Sequence, residues 1–512
     1  MPTRHTFAWF FPALIAAALA VGADARAEDA PPTLPPAAVE ATRQYRAALD
    51  RAGEAQAAAA TAAREAYVAS LEQVMKAETQ AGELDAALAV REELRRLRAA
   101  PADLAVPPAP PATTADVPAA AKPLPKPRRV DLMPLIDPDR DAIAGKWQRA
   151  ADGLRVDGTR DARLRIPYHP PENSDLVLDL TPVSGQHDVG ALLSNRGSAF
   201  YFVMDGWGDT LSTGFAEIYG SGANVNPTGI GARNRLTNGK RHHMVVHVRG
   251  GEISAEFDGR PMARWATDFT DLSSHPNCTI GSNAMLGLHA WERPTVFHKV
   301  EIVELSEGGA PASLRLVPGK GREVDLIASV NPKRDVVRGA WRRDGKELAV
   351  EKEEAARIRL PVEPPAEYDL RVRFTRAQGN RDVNLIFSKN GRSGTLYLSA
   401  FDNNVIALGR TRGRGADWTD ARLDRTQNIS NGREYTVVLQ VRNAGVRAYL
   451  DGELVSEYAT RTFFEFAVDP VFKIGRGSEI GLVAHDGDVR FHEVTLVEVT
   501  GSSSPIATTA ER

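Results

Sequence analysis

The feature that most constrains this 512-residue chain is an internal repeat at an offset of 193 to 194 residues. Val130-Asp131-Leu132 recurs as Val324-Asp325-Leu326. Asp137-Pro138-Asp139-Arg140-Asp141, with Gly145 and Trp147, recurs as Asn331-Pro332-Lys333-Arg334-Asp335 with Gly339 and Trp341. Ala162-Arg163-Leu164-Arg165-Ile166-Pro167 recurs as Ala356-Arg357-Ile358-Arg359-Leu360-Pro361, and Phe257-Asp258-Gly259 as Leu450-Asp451-Gly452. Order and spacing agree throughout. Each unit is therefore expected to be one domain, over residues 130–305 and 324–500, with a linker at 306–323 between them. Such a unit is too long for a solenoid repeat, which runs to about 50 residues.

Within each unit, polarity alternates with the period of a strand. Val437, Leu439 and Val441 alternate with Val438, Gln440 and Arg442, and Met244, Val246 and Val248 keep the same phase in the first unit. One face of a sheet is buried and the other is wet. Asn443-Ala444-Gly445 closes a hairpin and Asp451-Gly452 opens the next turn. Long helical patterns are absent from both units. The expected fold is mainly β: two tandem antiparallel β-sandwiches, with Trp147 and Trp341 in their cores.

The region before the repeat has a different character. Arg4 and His5 precede an apolar run, Phe7 to Ala23, and Ala25-Arg26-Ala27 offers a small-x-small cleavage pattern. This reads as a signal peptide over residues 1–27, with a retained membrane anchor as the alternative. Residues 28–100 are rich in Ala, Glu, Arg and Leu, with apolar residues at helical spacing and Gly82 interrupting them. They predict an α-helical hairpin of about 37–80 and 83–99, or one long helix, serving as spacer or oligomerisation device. Residues 101–129 are Pro-rich and predict a linker, and 501–512 a disordered tail. No later apolar run approaches the length of a membrane span. The net charge of −3 argues against a dedicated nucleic-acid binder. Cys278 is the sole cysteine, so no intramolecular disulfide forms, and it reads as a small buried hydrophobe.

The run Gly445 to Val455, with its counterpart Gly251 to Met262, resembles the central strand pair of concanavalin A-like jelly rolls, which include laminin-G-like domains. Ile480 to Val499 resembles that family's closing strand. Signal peptide, helical segment, Pro-rich linker and two such domains together are similar to exported proteins of planctomycete-type bacteria. The Trp147 and Trp341 segments also loosely resemble the 3-keto-disaccharide hydrolase family. That resemblance implies a sugar-active site, for which Ser194-Asn195-Arg196-Gly197 is a weak analogue. The Glu-x-Asp-x-x-Glu motif of related retaining glycosidases is not met, because Ala328 stands where the last acid of a motif starting at Glu323 would fall.

Aligning the units separates scaffold from difference. His298 and His492 are shared, which favours a structural pair. His243 and His247 sit four residues apart on one strand, about 13 Å, too far for one metal ion. Tyr201, Asp205, Trp207, Trp291 and Glu292 fall in turn-rich stretches of the first unit, and the second unit has Phe401-Asp402-Asn403-Asn404, His485 and Asp486 in the corresponding places. Aromatic faces beside polar groups suit a sugar, so these five are the candidate ligand-binding residues. Asp205 and Asp209 offer carboxylates for calcium; no other cofactor is expected, and no catalytic set is assigned. The expected function is a periplasmic or secreted binding scaffold that contacts carbohydrate or envelope partners. A sugar-active enzyme and a purely structural envelope protein are the alternatives.

Overall fold

The computed structural model describes residues 123–506, except 232–234, 410, 412–418, 425–427, 461–462, 464 and 476–478. The signal, the helical segment and most of the Pro-rich stretch lie outside the described residues. Among those described, the chain is mainly β, and every strand pair within its sheets is antiparallel.

In the first unit an eight-stranded sheet faces a six-stranded one. The centre of the larger sheet is the strand Ser174–Pro182, between His242–Arg249 and Thr295–Ser306. The smaller sheet runs in the order Ser212–Ala216, Ser198–Gly206, Val189–Asn195, Leu286–Ala290, Ala162–Ile166 and Ala142–Ala144. The second unit repeats this plan with eight and seven strands. Pro123–Asp131, which includes the end of the Pro-rich stretch, pairs as a strand with Thr295–Ser306.

Alternation decides which side chains enter the core. In His242–Arg249, Met244, Val246 and Val248 are buried and the residues between them are more open, apart from the first. Leu178, Val246 and Val300 of the larger sheet join Leu164, Phe202 and Leu288 of the smaller one in a single apolar cluster. Each such side chain contributes about 1.5–3 kcal/mol when buried. The second unit builds its own cluster from the same positions, with Val372, Leu439 and Val494 meeting Ile358, Leu385 and Leu482.

The shared glycine and tryptophan now have a physical reason. Trp147 stacks on Phe297 at 6.0 Å and donates from Nε1 to the Ala144 carbonyl. Trp341 does the same with Phe491 at 5.8 Å and the Arg338 carbonyl. Gly145 has φ +80°, and a Cβ there would lie 2.5 Å from that of Ala162. Gly339, at φ +98°, stands equally close to Ala356. Only glycine lets the chain pass so near the adjacent strand and turn the indole inward.

A third apolar cluster joins the two units. Leu192, Tyr201 and Val203 of the first meet Val438, Tyr449 and Leu454 of the second, with Cys278, Ile280 and Leu314 between them. Residues 306–323 are held along this seam. Ala310–Pro311 pairs with Tyr168–His169, Leu316 N donates to Gly452 O, and Leu454 N donates to Leu314 O. The strand Glu453–Ala459 would otherwise be an open sheet edge. Across it Glu457 N donates to Gly281 O, and Asn283 N donates to Glu457 O. The Glu457 carboxylate accepts from Ser282 Oγ at 2.7 Å and Arg447 Nε at 2.7 Å, and lies 3.2 Å from His169 Nε2. Burial alone would raise this carboxyl, but His169, Arg447 and Ser282 outweigh it and hold it at about 2.

Candidate functional site

The smaller sheet of the first unit turns alternate residues away from its core, and these form the floor of the site. Register sets Val203, Gly190, His289 and Arg163 in one row across four strands. Tyr201, Leu192, Gly287 and Arg165 make the neighbouring row. His289 reaches this place because its strand inserts between Val189–Asn195 and Ala162–Ile166, which are distant in sequence.

The floor is polar and closed over. His289 and Arg163 are 3% and 2% exposed. Arg163 Nη1 donates to the carbonyls of Pro276 and Thr279, at 3.1 and 2.9 Å, and so fixes the loop that carries Cys278. Its guanidinium also reaches Asp424 of the second unit at 3.2 Å. Cys278 is buried, and burial pushes its thiol well up. His289 Nδ1 lies 3.0 Å from Asp188 Oδ1, and Arg163 Nε lies 3.4 Å from Asp161 Oδ1. None of these four atoms, nor His289 Nε2, makes a hydrogen bond of good geometry. Buried polar groups ordinarily do, so the cluster keeps hydrogen-bonding capacity to spare. Burial raises the Asp161 carboxyl to about 6, against the pull of Arg163 and His289.

The mouth of this cluster is aromatic and more exposed. Trp291 continues the His289 strand, and its backbone N–H donates to the Asp188 carbonyl at 3.0 Å. Its ring is half-buried, 6.4 Å from that of His289, with the Arg160 guanidinium 4.8 Å over it. Glu292 is exposed, in a left-handed conformation at φ +47°, and its Oε2 lies 3.2 Å from His187 Nε2. An indole, a carboxylate, an imidazole and a guanidinium thus rim a buried polar cluster. Such an arrangement can stack against the apolar face of a ligand and exchange hydrogen bonds with its polar edge.

The second unit replaces several of these polar groups with apolar ones, while keeping an arginine and a buried Asn384. Its row reads Tyr397, Asn384, Val483 and Arg357. Phe472 stands where the first unit has Cys278, Ala355 where it has Asp161, and His485 where it has Trp291. Ile386, Tyr397, Phe472 and Val483 pack as one cluster. His485 rests edge-on against Phe472 at 5.6 Å, and its Nδ1 accepts from the Ala355 N–H.

The five residues anticipated from sequence do not form one set. Trp291 and Glu292 share the mouth. Tyr201 lies on the same sheet face, but its ring is buried in the seam, where burial and its neighbours Cys278 and Glu217 push the phenol well up. Trp207 is half-buried and packs on that apolar cluster over Gly222. Asp205 is fully buried; it accepts from the N–H groups of Arg235 and Leu236 and lies 3.7 Å from Arg293. Its work is to hold a loop, as Asn403 Oδ1 does in the second unit by accepting from Ile429 N. Among the described residues, no three His, Cys, Asp or Glu side chains come together to hold a metal ion.

Sequence reasoning passed over Asp161, Arg163, Asp188, His187 and Arg160. One signal was readable: the change from Asp161 to Ala355 between otherwise matching segments. The strand histidines are held locally. His243 Nδ1 lies 2.6 Å from Asp179 Oδ1, and His247 Nδ1 lies 2.7 Å from Asp175 Oδ1. His298 and His492 each bond a threonine hydroxyl, of Thr181 and Thr375.

No family model matches the chain, and no curated protein matches it. Solved structures do. A carbohydrate-binding module of type CBM66 from Bacillus subtilis is 15% identical, over 32% of this chain and 93% of that one, at a TM-score of 0.24. The exoplasmic/lumenal domain of VIP36, bound to calcium and Man3GlcNAc, is 10% identical over 36% and 90% of the two chains, at 0.26. The Crh5 transglycosylase is 12% identical over 37% and 88%, at 0.25.

Proposed function

We propose that this is an exported binding scaffold, with two concanavalin A-like sandwiches in tandem, that contacts carbohydrate through the first of them. The exported state rests on the signal pattern at residues 1–27. No helix among the described residues is long and apolar enough to cross a membrane. The N-terminal helices would space or oligomerise the protein in the periplasm or outside the cell, near envelope partners.

One observation carries the binding reading. At the same position on the same sheet, the first unit has Trp291, His289, Asp161 and Cys278, where the second has His485, Val483, Ala355 and Phe472. A purely structural role would be served by either set, and the apolar one is cheaper to bury. The first unit keeps a costly polar cluster beside an aromatic mouth. A neutral sugar fits this chemistry, because its C–H face stacks and its hydroxyls both donate and accept. A glycan array with the mature protein and the variants Trp291→Ala and Glu292→Gln tests this. Binding that both substitutions weaken at least tenfold supports the site; equal binding by all three removes it.

A second reading is favoured by Asp161, whose carboxyl sits near 6 beside His289. Perturbed carboxyls mark acid–base chemistry as well as buried networks. A sugar-active enzyme of the 3-keto-disaccharide hydrolase type would use such a pair. Chromatography of disaccharides incubated with the protein separates the two readings: product formation that Asp161→Asn abolishes would favour the enzyme.

A further inference from the structure

A second aromatic feature lies at the other end of the smaller sheet, beyond its edge strand Ser212–Ala216. Tyr219 is 67% exposed, although its neighbour Ile218 is fully inside the fold. The chain achieves this by a costly route. Glu217 and Tyr219 adopt φ +60° and +50°, in the left-handed region that bulky residues avoid. Backbone bonds hold the loop there: Ile218 bridges Leu272, and Tyr219 N donates to Asp271 O at 2.8 Å. Strain held in this way in an exposed loop marks a place where side-chain position matters more than stability.

The surroundings of the ring say what it suits. Trp265 meets Tyr219 edge-on, with ring centroids 6.5 Å apart at 85°. Trp265 Nε1 donates to Asp271 Oδ2 at 2.6 Å, and Thr267 Oγ1 donates to Asp271 Oδ1, so the carboxylate is fixed against the indole N–H. Asp268 is exposed nearby, and its Oδ1 accepts from the N–H and hydroxyl of Thr270. Burial and then the charges of Asp271 and Asp268 raise the Tyr219 phenol. The patch is thus one open aromatic face with acceptor oxygens beside it. It repels anions. The ring is too open to enclose a cation as an aromatic cage does. A flat, uncharged, hydroxyl-rich ring meets both features: its C–H face covers the tyrosine and its hydroxyls donate to the carboxylates.

We infer that Tyr219, backed by Trp265 and flanked by Asp268 and Asp271, is a second contact platform for neutral glycan chains, separate from the Trp291 mouth. It stands on its own observations and does not require the Trp291 site to bind. Two such contacts on one rigid body would let a polysaccharide chain bind more tightly than either contact alone.

The test uses the full mature chain and neutral gluco-, manno- and xylo-oligosaccharides, read by calorimetry and tryptophan fluorescence. Tyr219→Gly removes the ring and relaxes the left-handed backbone. The expected result is unchanged or raised thermal stability with at least tenfold weaker glycan binding, and Tyr219→Phe keeps most of the affinity. Trp291→Ala is measured alongside. Loss in Tyr219→Gly upholds the platform, whether or not Trp291→Ala also weakens binding, and binding intact in Trp291→Ala removes the Trp291 site. Binding intact in Tyr219→Gly, with or without loss in Trp291→Ala, overturns the platform. Binding of an oligolysine peptide in place of every glycan also overturns it and assigns the patch to a cation.

Discussion

Asp161 shows how one side chain can report on the whole polar cluster. Burial raises its folded carboxyl to about 6, from an ordinary value of 3.8. The folded chain therefore holds this proton more tightly than the unfolded one. Its contribution to stability is complete below about pH 4 and is lost as pH rises toward 6. The size is on the order of 2 kcal/mol. Asp161→Asn should flatten that part of the profile. Urea midpoints of both proteins from pH 4 to 7 check this, and parallel profiles would contradict the placement of Asp161. Arg293 makes a different point about single residues. It donates to the carbonyls of His187 and Leu236 and to Asn238 Oδ1. In the second unit the equivalent loop carbonyls and amide, at Arg381, Ile429 and Asn431, are bound by Arg376. Arg376 lies on the strand Glu367–Gln378, whereas Arg293 precedes the strand Thr295–Ser306. The two units keep a guanidinium in one place but supply it from different segments, so aligning the sequences hides the equivalence.

The strands were largely legible in sequence, because their alternation is local. Met244, Val246 and Val248 announce their face without help from any other strand, and Trp147 and Trp341 announce a core by recurring. The candidate site was legible only at its mouth. Trp291 and Glu292 stood out by differing from His485 and Asp486. Arg163 did not, since Arg357 matches it and both read as scaffold. That Arg163 meets His289 depends on the order of strands that are remote in sequence, which no local pattern encodes. Tyr201 and Asp205 look like loop residues until the seam and the ion pair with Arg293 enclose them. The seam is itself an element-scale device, since Gly281, Ser282 and His169 cover an edge strand of the other unit through Glu457. Its carboxyl is held near 2, below an ordinary 4.5, so its contribution is present above about pH 4.5 and is lost as pH falls toward 2. Glu457→Gln should lower stability by about 3 kcal/mol. Thermal unfolding at neutral pH measures it, and an unchanged midpoint would mean that the bond network is not what ties the seam.

At the scale of the molecule, two copies of one plan have been put to different uses. Both bury a tryptophan behind a glycine and both close a sandwich around a single apolar cluster. The first gathers His289, Asp161 and Trp291 around Arg163 on the outward face of its smaller sheet, where the second has Val483, Ala355 and His485 around Arg357, and the second unit supplies Asp424 to Arg163. The second unit thereby braces the floor of the first, while its own equivalent face is packed with Phe472, Ile386 and Val483. The most direct measurement converts the first face into the second. The double variant His289→Val, Trp291→His keeps the fold, because the second unit already tolerates those residues in those positions. Calorimetric titration with the glycan that binds the mature protein best should show at least a tenfold loss of affinity, about 1.4 kcal/mol. Undiminished affinity in a folded double variant would contradict the account.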